Sequence, residues 1–150
     1  MKDKKNKQII KRKSFKPLEW VCKSIFLNLK IYDDFTIVDS KLFFEKSKIC
    51  KSGSILLNGN NLNTLKFKII YIFKNKINKV KILNPNTNIL VIKVPSNCDK
   101  LIIKSSVKLN PKTNSSLEGF YESNNMFCTQ CEPEGFRKIT WFTDRPDNLS

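Results

Sequence analysis

Between Val21 and Leu109 the chain repeats one pattern: apolar side chains at every second position, interrupted by Asn, Asp, Gly or Pro. Successive side chains of a strand point to opposite faces, so a period of two describes strands with one face buried. No stretch sustains a 3.6-residue period, and the sequence contains no Ala, the best helix former. Turn signals recur at the roughly eight to twelve residue spacing of β-sandwiches. The expectation is an all-β, antiparallel domain of sandwich or saddle form.

Individual strands can be placed on this basis. Val21, Ile25, Leu27, Leu29 and Ile31 share one parity, with Phe26 and Tyr32 on the other, so the first strand should be covered on part of both faces. Asp33-Asp34 turns the chain into a second strand through Thr36, Val38, Leu42 and Phe44, completing a hairpin. Residues 47–53 and 58–63 read as loops, because Gly, Ser and Asn adopt turn conformations readily. Leu65, Phe67, Ile69, Tyr71 and Phe73 alternate with Lys66, Lys68, Ile70, Ile72 and Lys74, a strand with an apolar side and a Lys-edged side whose lysines are assigned to solvent. A turn at 75–78 follows, then strands at 80–83 and 89–94 around a PNTN turn, then a strand over 101–109. Two further strands are expected at 117–123 and 137–143, with turn chemistry at 123–125 and 133–135 between them. The segment around Cys128-Thr-Gln-Cys131 is therefore expected on a loop carried by a β scaffold, a common place for binding groups. There is no internal repeat.

Length and composition narrow the functional classes. The 150 residues suit one core, and a hydrophobic content of 40% with eleven Phe argues for a folded chain. Residues 1–16 read as a basic flexible tail ahead of a domain over 17–150. The net charge of +15 invites a nucleic-acid reading, a basic β module binding through its Lys faces. Against it, Lys dominates the basic residues, Arg occurring only at Arg12, Arg137 and Arg145, and Lys lacks the planar fork that reads guanine. Depletion of Ala, Gly and Arg beside abundant Lys, Asn and Ile is also what A+T-rich coding would produce. Most aromatics fall on the parity assigned to the core rather than on an open, stacking face.

His is absent, which removes Ser/His/Asp triads, Cys/His pairs and HExxH zinc helices from this chain. No apolar run reaches the roughly 18 residues of a membrane span, and the N-terminus has no apolar core of a secretory signal, so the expected location is cytoplasmic. Five cysteines at scattered spacing do not form a disulfide framework. Cys128 and Cys131 have CxxC spacing, but zinc asks for a second pair or a His, and Pro133 and Gly135 follow where a redox motif would start a helix. Two half-buried thiols are the simpler reading, and no metal is assigned to this chain.

The stretch SSLEGFYESNNMFCTQCEPEGFRKITWFTDRPDNLS, residues 115–150, departs from the Lys, Asn and Ile bias upstream. It resembles the N-terminal β domain of the bacterial aminopeptidase N branch of the M1 zinc aminopeptidases. The family pattern Thr-Gln-x-Glu-Pro, an Arg five residues after that Glu, then Asp-x-Pro, is met by Thr129, Gln130, Glu132, Pro133, Arg137, Asp144 and Pro146. Upstream, strand pattern and the LNG at 57–59 are the points of agreement.

The resemblance implies a saddle-shaped β domain leaning on a thermolysin-like catalytic domain. It also implies that Gln130 and Glu132 bind the free α-amino group of a peptide substrate. A carboxylate facing an ammonium makes a charge-assisted pair, and an amide oxygen beside it accepts a second N–H. The plainer reading of Glu132 is an exposed loop acid paired with Arg137. Arg137 and Asp144, with Arg145, are expected to form an ion-pair set supporting the loop, and Trp141 and Phe142 to pack the core. The family's Gly-x-Met-Glu-Asn loop, HExxH helix, third zinc ligand and oxyanion Tyr have no counterpart here. The expectation is a β domain incomplete at its C-terminal end and inactive alone, its zinc belonging to the parent enzyme's catalytic domain. Its partners would be the remainder of that aminopeptidase and peptide N-termini, not a membrane.

Overall fold

The computed structural model describes residues 12–50, 53–132 and 134–148. It is built from antiparallel strands, with no α-helix among the described residues. Strands β1 (Trp20–Ile31), β2 (Thr36–Lys46), β4 (Asn63–Phe73), β5 (Lys76–Leu83) and β7 (Lys100–Leu109) make one sheet in the order β1-β2-β7-β4-β5. Two smaller ladders join β3 (Ser54–Asn58) to β6 (Ile89–Lys93), and β8 (Gly119–Ser123) to β9 (Met126–Gln130).

The alternation in the sequence becomes alternation in burial. Along β2, Thr36, Val38, Ser40, Leu42 and Phe44 are buried while the residues between them are half-buried. Leu101, Ile103, Ser105 and Val107 repeat this on β7, which pairs with both β2 and β4 and is therefore central. The core lies between this face and the β3/β6 ladder, which contributes Ile55, Leu57 and Ile92. Phe120, Ile139, Trp141 and Phe142 close it from the C-terminal side. Lys66 and Lys68 are exposed.

Several local expectations give way to tertiary pairing. The turn after β4 falls at Lys74-Asn75, both at positive φ (47° and 62°), so β5 begins at Lys76 rather than after residue 78. Two consecutive left-handed residues make a tight hairpin whose twist matches its strands. The strands flanking the PNTN turn do not pair with each other: β5 ends the large sheet and β6 joins β3, a strand lying between the two expected loops. The first strand is covered only at its start, where Trp20 and Cys22 are buried, whereas Phe26, Leu27, Leu29 and Ile31 are exposed. Residues 137–143 are not a strand. Phe136–Lys138 is a 3-10 turn and Phe142 makes a single bridge with Asn58, because the segment turns inward to plug the core instead of adding to a sheet edge.

Of the expected tail, residues 1–11 lie outside the described residues. Arg12–Ser14 forms a 3-10 turn, and the Arg145 guanidinium donates to the Lys16 carbonyl at 2.9 Å. No helix among the described residues is long and apolar enough to cross a membrane.

Candidate functional site

The hairpin β8–β9 positions the residues singled out by sequence. Asn124 and Asn125 form its turn at φ 49° and 60°, conformations Asn tolerates better than most residues. Register pairs Phe120 with Thr129 and Gly119 with Gln130. Thr129 and Gln130 thus end a strand, where a loop was expected, and a backbone ladder holds them. Gly119 sits at φ 73°, and a Cβ there would meet the Lys138 Cβ at 2.6 Å, so only glycine lets the 3-10 turn approach so closely.

After Gln130 the chain folds back at once. The Gly135 N–H donates to the Cys131 carbonyl at 3.3 Å, and a Cβ on Gly135 would lie 2.6 Å from the Gln130 carbonyl oxygen. Glu134 is in the left-handed region at φ 77°. Pro133 lies outside the described residues. This compact return leaves the Gln130 and Glu132 side chains exposed, and neither has a hydrogen-bond or ion-pair partner among the described residues. A cavity of about 310 Å³ adjoins Glu132, and its wall also includes Glu134, Asp144, Ile25, Phe136 and Phe142.

Behind the turn stands Arg137. Its backbone N–H and Nε both donate to Asp144 Oδ2, at 3.0 and 2.9 Å, and its Nη2 donates to the Asp144 carbonyl at 2.9 Å. The same Nη2 lies 3.1 Å from Glu134 Oε2. Asp144 is only 7% exposed, and its backbone N–H donates to Asn58 Oδ1 at 3.3 Å. Arg137 therefore ties both ends of the segment together. Two details differ from the sequence reading. The acid paired with Arg137 from the turn is Glu134, not Glu132, because the left-handed residue swings the later carboxylate toward the guanidinium. Arg145 stands apart from this set, forking onto Asp147 at 2.9 and 2.8 Å. Trp141 and Phe142 are buried, in edge-to-face contact with Phe67 and Phe136 respectively.

The CxxC thiols offer little to a metal. Burial, and then the Asp144 charge, push the Cys131 thiol up, which keeps it protonated and poorly nucleophilic near neutral pH. None of the five cysteines is in a disulfide, and among the described residues no group of three or more His, Cys, Asp or Glu is gathered to hold a metal ion. With no His in the sequence, the donor set does not suit a zinc centre.

The polar features that sequence reasoning missed lie in the support. Thr143 Oγ1 donates to the Leu56 carbonyl at 2.8 Å, and Asn148 accepts from the Cys22 N–H and donates to the Thr143 carbonyl. No local pattern announces such partners, which are up to 126 positions apart.

The Peptidase M1 N-terminal domain model matches residues 16–150. The chain belongs to this family. It is similar to aminopeptidase N of Haemophilus influenzae, with 30% identity over 139 residues, covering 93% of this chain and 15% of that protein. Over 52 residues it is 52% identical to aminopeptidase N of Caulobacter vibrioides and 46% identical to that of Escherichia coli, in each case 35% of this chain and 6% of the relative. Among solved structures, Legionella pneumophila aminopeptidase A in complex with aspartic acid superposes with a TM-score of 0.72 at 23% identity, covering 91% of this chain and 16% of that one. The chain spans a small fraction of the length of the proteins it matches.

Proposed function

We propose that this chain is the substrate-anchoring N-terminal domain of an M1-type zinc aminopeptidase, in which Glu132 and Gln130 receive the protonated α-amino group of a peptide. The observation that carries this reading is the exposed Glu132 carboxylate, without a partner among the described residues and two positions from Gln130, on a turn held by the Arg137–Asp144 clamp. An ammonium brought to Glu132 gains a charge-assisted hydrogen bond, and the Gln130 amide oxygen accepts another of its protons. A peptide with a blocked N-terminus presents no such charge, so the pair selects exopeptidase substrates. Arg137 and Asp144 act through position, keeping the turn from relaxing away from the amine.

Hydrolysis is assigned to groups outside this chain, in the much longer remainder that the relatives possess, and zinc belongs there when bound. The 150 residues alone are expected to be inactive. The test joins this chain to the catalytic portion of the Haemophilus relative, replacing the corresponding N-terminal region, and follows cleavage of an alanyl anilide. Glu132→Gln should raise KM by about tenfold or more, the value of one charge-assisted hydrogen bond. An active chimera whose KM is indifferent to Glu132→Gln and Gln130→Ala would overturn the assignment.

A further inference from the structure

The large sheet has a second face, turned away from the core. On it, register sets Lys41 directly opposite Lys104, and Lys104 directly opposite Lys68, a row of three cations on adjacent strands. Like charges in this relation destabilise a sheet unless something answers them. Lys41 lies over the Phe43 ring at 4.6 Å, and none of the three has an acid within ion-pair distance among the described residues. The acid nearest in register, Asp39, is taken by Lys30 at 2.8 Å; that contact, with Ser106, holds its carboxyl below the usual range.

Two residues along each strand, on the same face, runs an apolar row: Phe43 opposite Ile102, Ile102 opposite Ile70, Ile70 opposite Val80, of which Val80 is exposed, Phe43 and Ile102 are half-buried and Ile70 is buried. The lysine row is bounded at its ends by Phe26, 62% exposed, and Ile82, 76% exposed. A cavity of about 910 Å³ touches both of these residues, one on each edge strand, so the face is curled into a trough.

The chemistry of the trough narrows its occupant. Its one strongly exposed ring, Phe26, meets Phe43 edge-on at 5.8 Å, and the remaining apolar positions are aliphatic, so it offers no series of ring faces for bases to stack on. Strand spacing puts successive lysines about 5 Å apart, close to the roughly 5–6 Å between side chains four apart on a helix. A helix with carboxylates on one stripe and aliphatic side chains on the next would set the first on the lysine row and the second against Phe26, Leu65 and Ile82, exposed apolar residues lining the same trough. We propose that this trough is a docking surface for an acidic, amphipathic segment of another polypeptide, independent of the Glu132 site.

The test uses the full 150-residue chain and a labelled helical peptide with Glu along one stripe and Leu along the adjacent one, read by fluorescence anisotropy. Expected are saturable binding that weakens as salt is raised and a loss of at least about tenfold in affinity for Lys41→Glu/Lys104→Glu/Lys68→Glu, the sign reversal of every cation in the row. The milder triple change to Gln separates binding from folding: it relieves repulsion, so its melting temperature should equal or exceed that of the parent while peptide binding falls. Absence of peptide binding, or a folded Gln triple that binds as well as the parent, overturns the proposal. Tighter binding to oligothymidylate or to phosphatidylglycerol vesicles than to the peptide overturns it too, in favour of nucleic acid or lipid.

Discussion

The centre of the large sheet and the segment over 136–148 both pack against one core, yet they are held by different physics. Strands β2 and β7 are fixed by an unbroken backbone ladder and by apolar side chains at alternate positions, so any one contact has many equivalents. The C-terminal segment has a 3-10 turn and a single bridge for regular structure, and it is placed by individual side chains. Thr140 Oγ1 lies 2.9 Å from Ser40 and 3.1 Å from Ser105, Trp141 Nε1 donates to Thr64 at 2.9 Å, and Arg137 holds Asp144. The difference teaches that a ladder spreads its stability over many weak terms, whereas an irregular plug concentrates it in a few, each costly to remove.

The comparison breaks first at Trp141. Its side chain is fully buried against Phe67 and the Gly59 backbone, so Trp141→Ala should cost about 3–5 kcal/mol in denaturant unfolding, as much as a central Leu42→Ala. A cost under about 1 kcal/mol would make the segment a loose flap rather than part of the core. Next comes Arg137→Ala, which strands the buried Asp144 carboxylate. Because the arginine is partly exposed, the expected loss is about 2–3 kcal/mol, below that of a fully buried pair. Limited proteolysis should then cut near residues 130–138 before the sheet, and simultaneous digestion of both regions would deny the local clamp. Thr140→Val keeps shape but removes the hydroxyl that bonds both Ser40 and Ser105, leaving those two bonded only to each other, for an expected loss of about 1–2 kcal/mol by the same unfolding measurement.

A further effect is one of pH, and it probes the sheet side. Burial raises the Cys22 thiol from its ordinary 9.0 to about 11, offset in part by the Ser24 and Phe43 backbones. The folded state therefore keeps this proton where the unfolded chain has lost it. The stabilisation is whole below pH 9 and disappears as pH climbs toward 11. Melting temperature should fall over that interval, and Cys22→Ala should flatten the decline; an unchanged slope would remove Cys22 from the account.

Much of this was legible in the chain. Alternation located β1, β2, β4 and β7 because a half-buried strand demands it, and the motif through Thr129, Gln130, Glu132 and Arg137 pointed to the exposed turn. What could not be read was pairing at a distance. Nothing near Ile89 says that it will lie beside Asn58 rather than β5, and nothing in RKITWFT says that an alternating-looking run will fold as a plug. Glu132 and Glu134 are two carboxylates in the same short stretch; only the left-handed backbone at Glu134 decides which one meets Arg137.

By itself, the sequence determined that the chain would be β, because a side-chain period of two satisfies burial in strands and not in helices, that its short turns would favour antiparallel pairing, and that its 28 basic residues would have to find solvent. Tertiary structure alone decided which strands are neighbours, and so aligned Lys41, Lys104 and Lys68 in one row and brought Asp144 under Arg137. The reason is physical. Periodicity is a property of adjacent residues, while register and ion pairing are choices among distant partners that only a closed core can make unique.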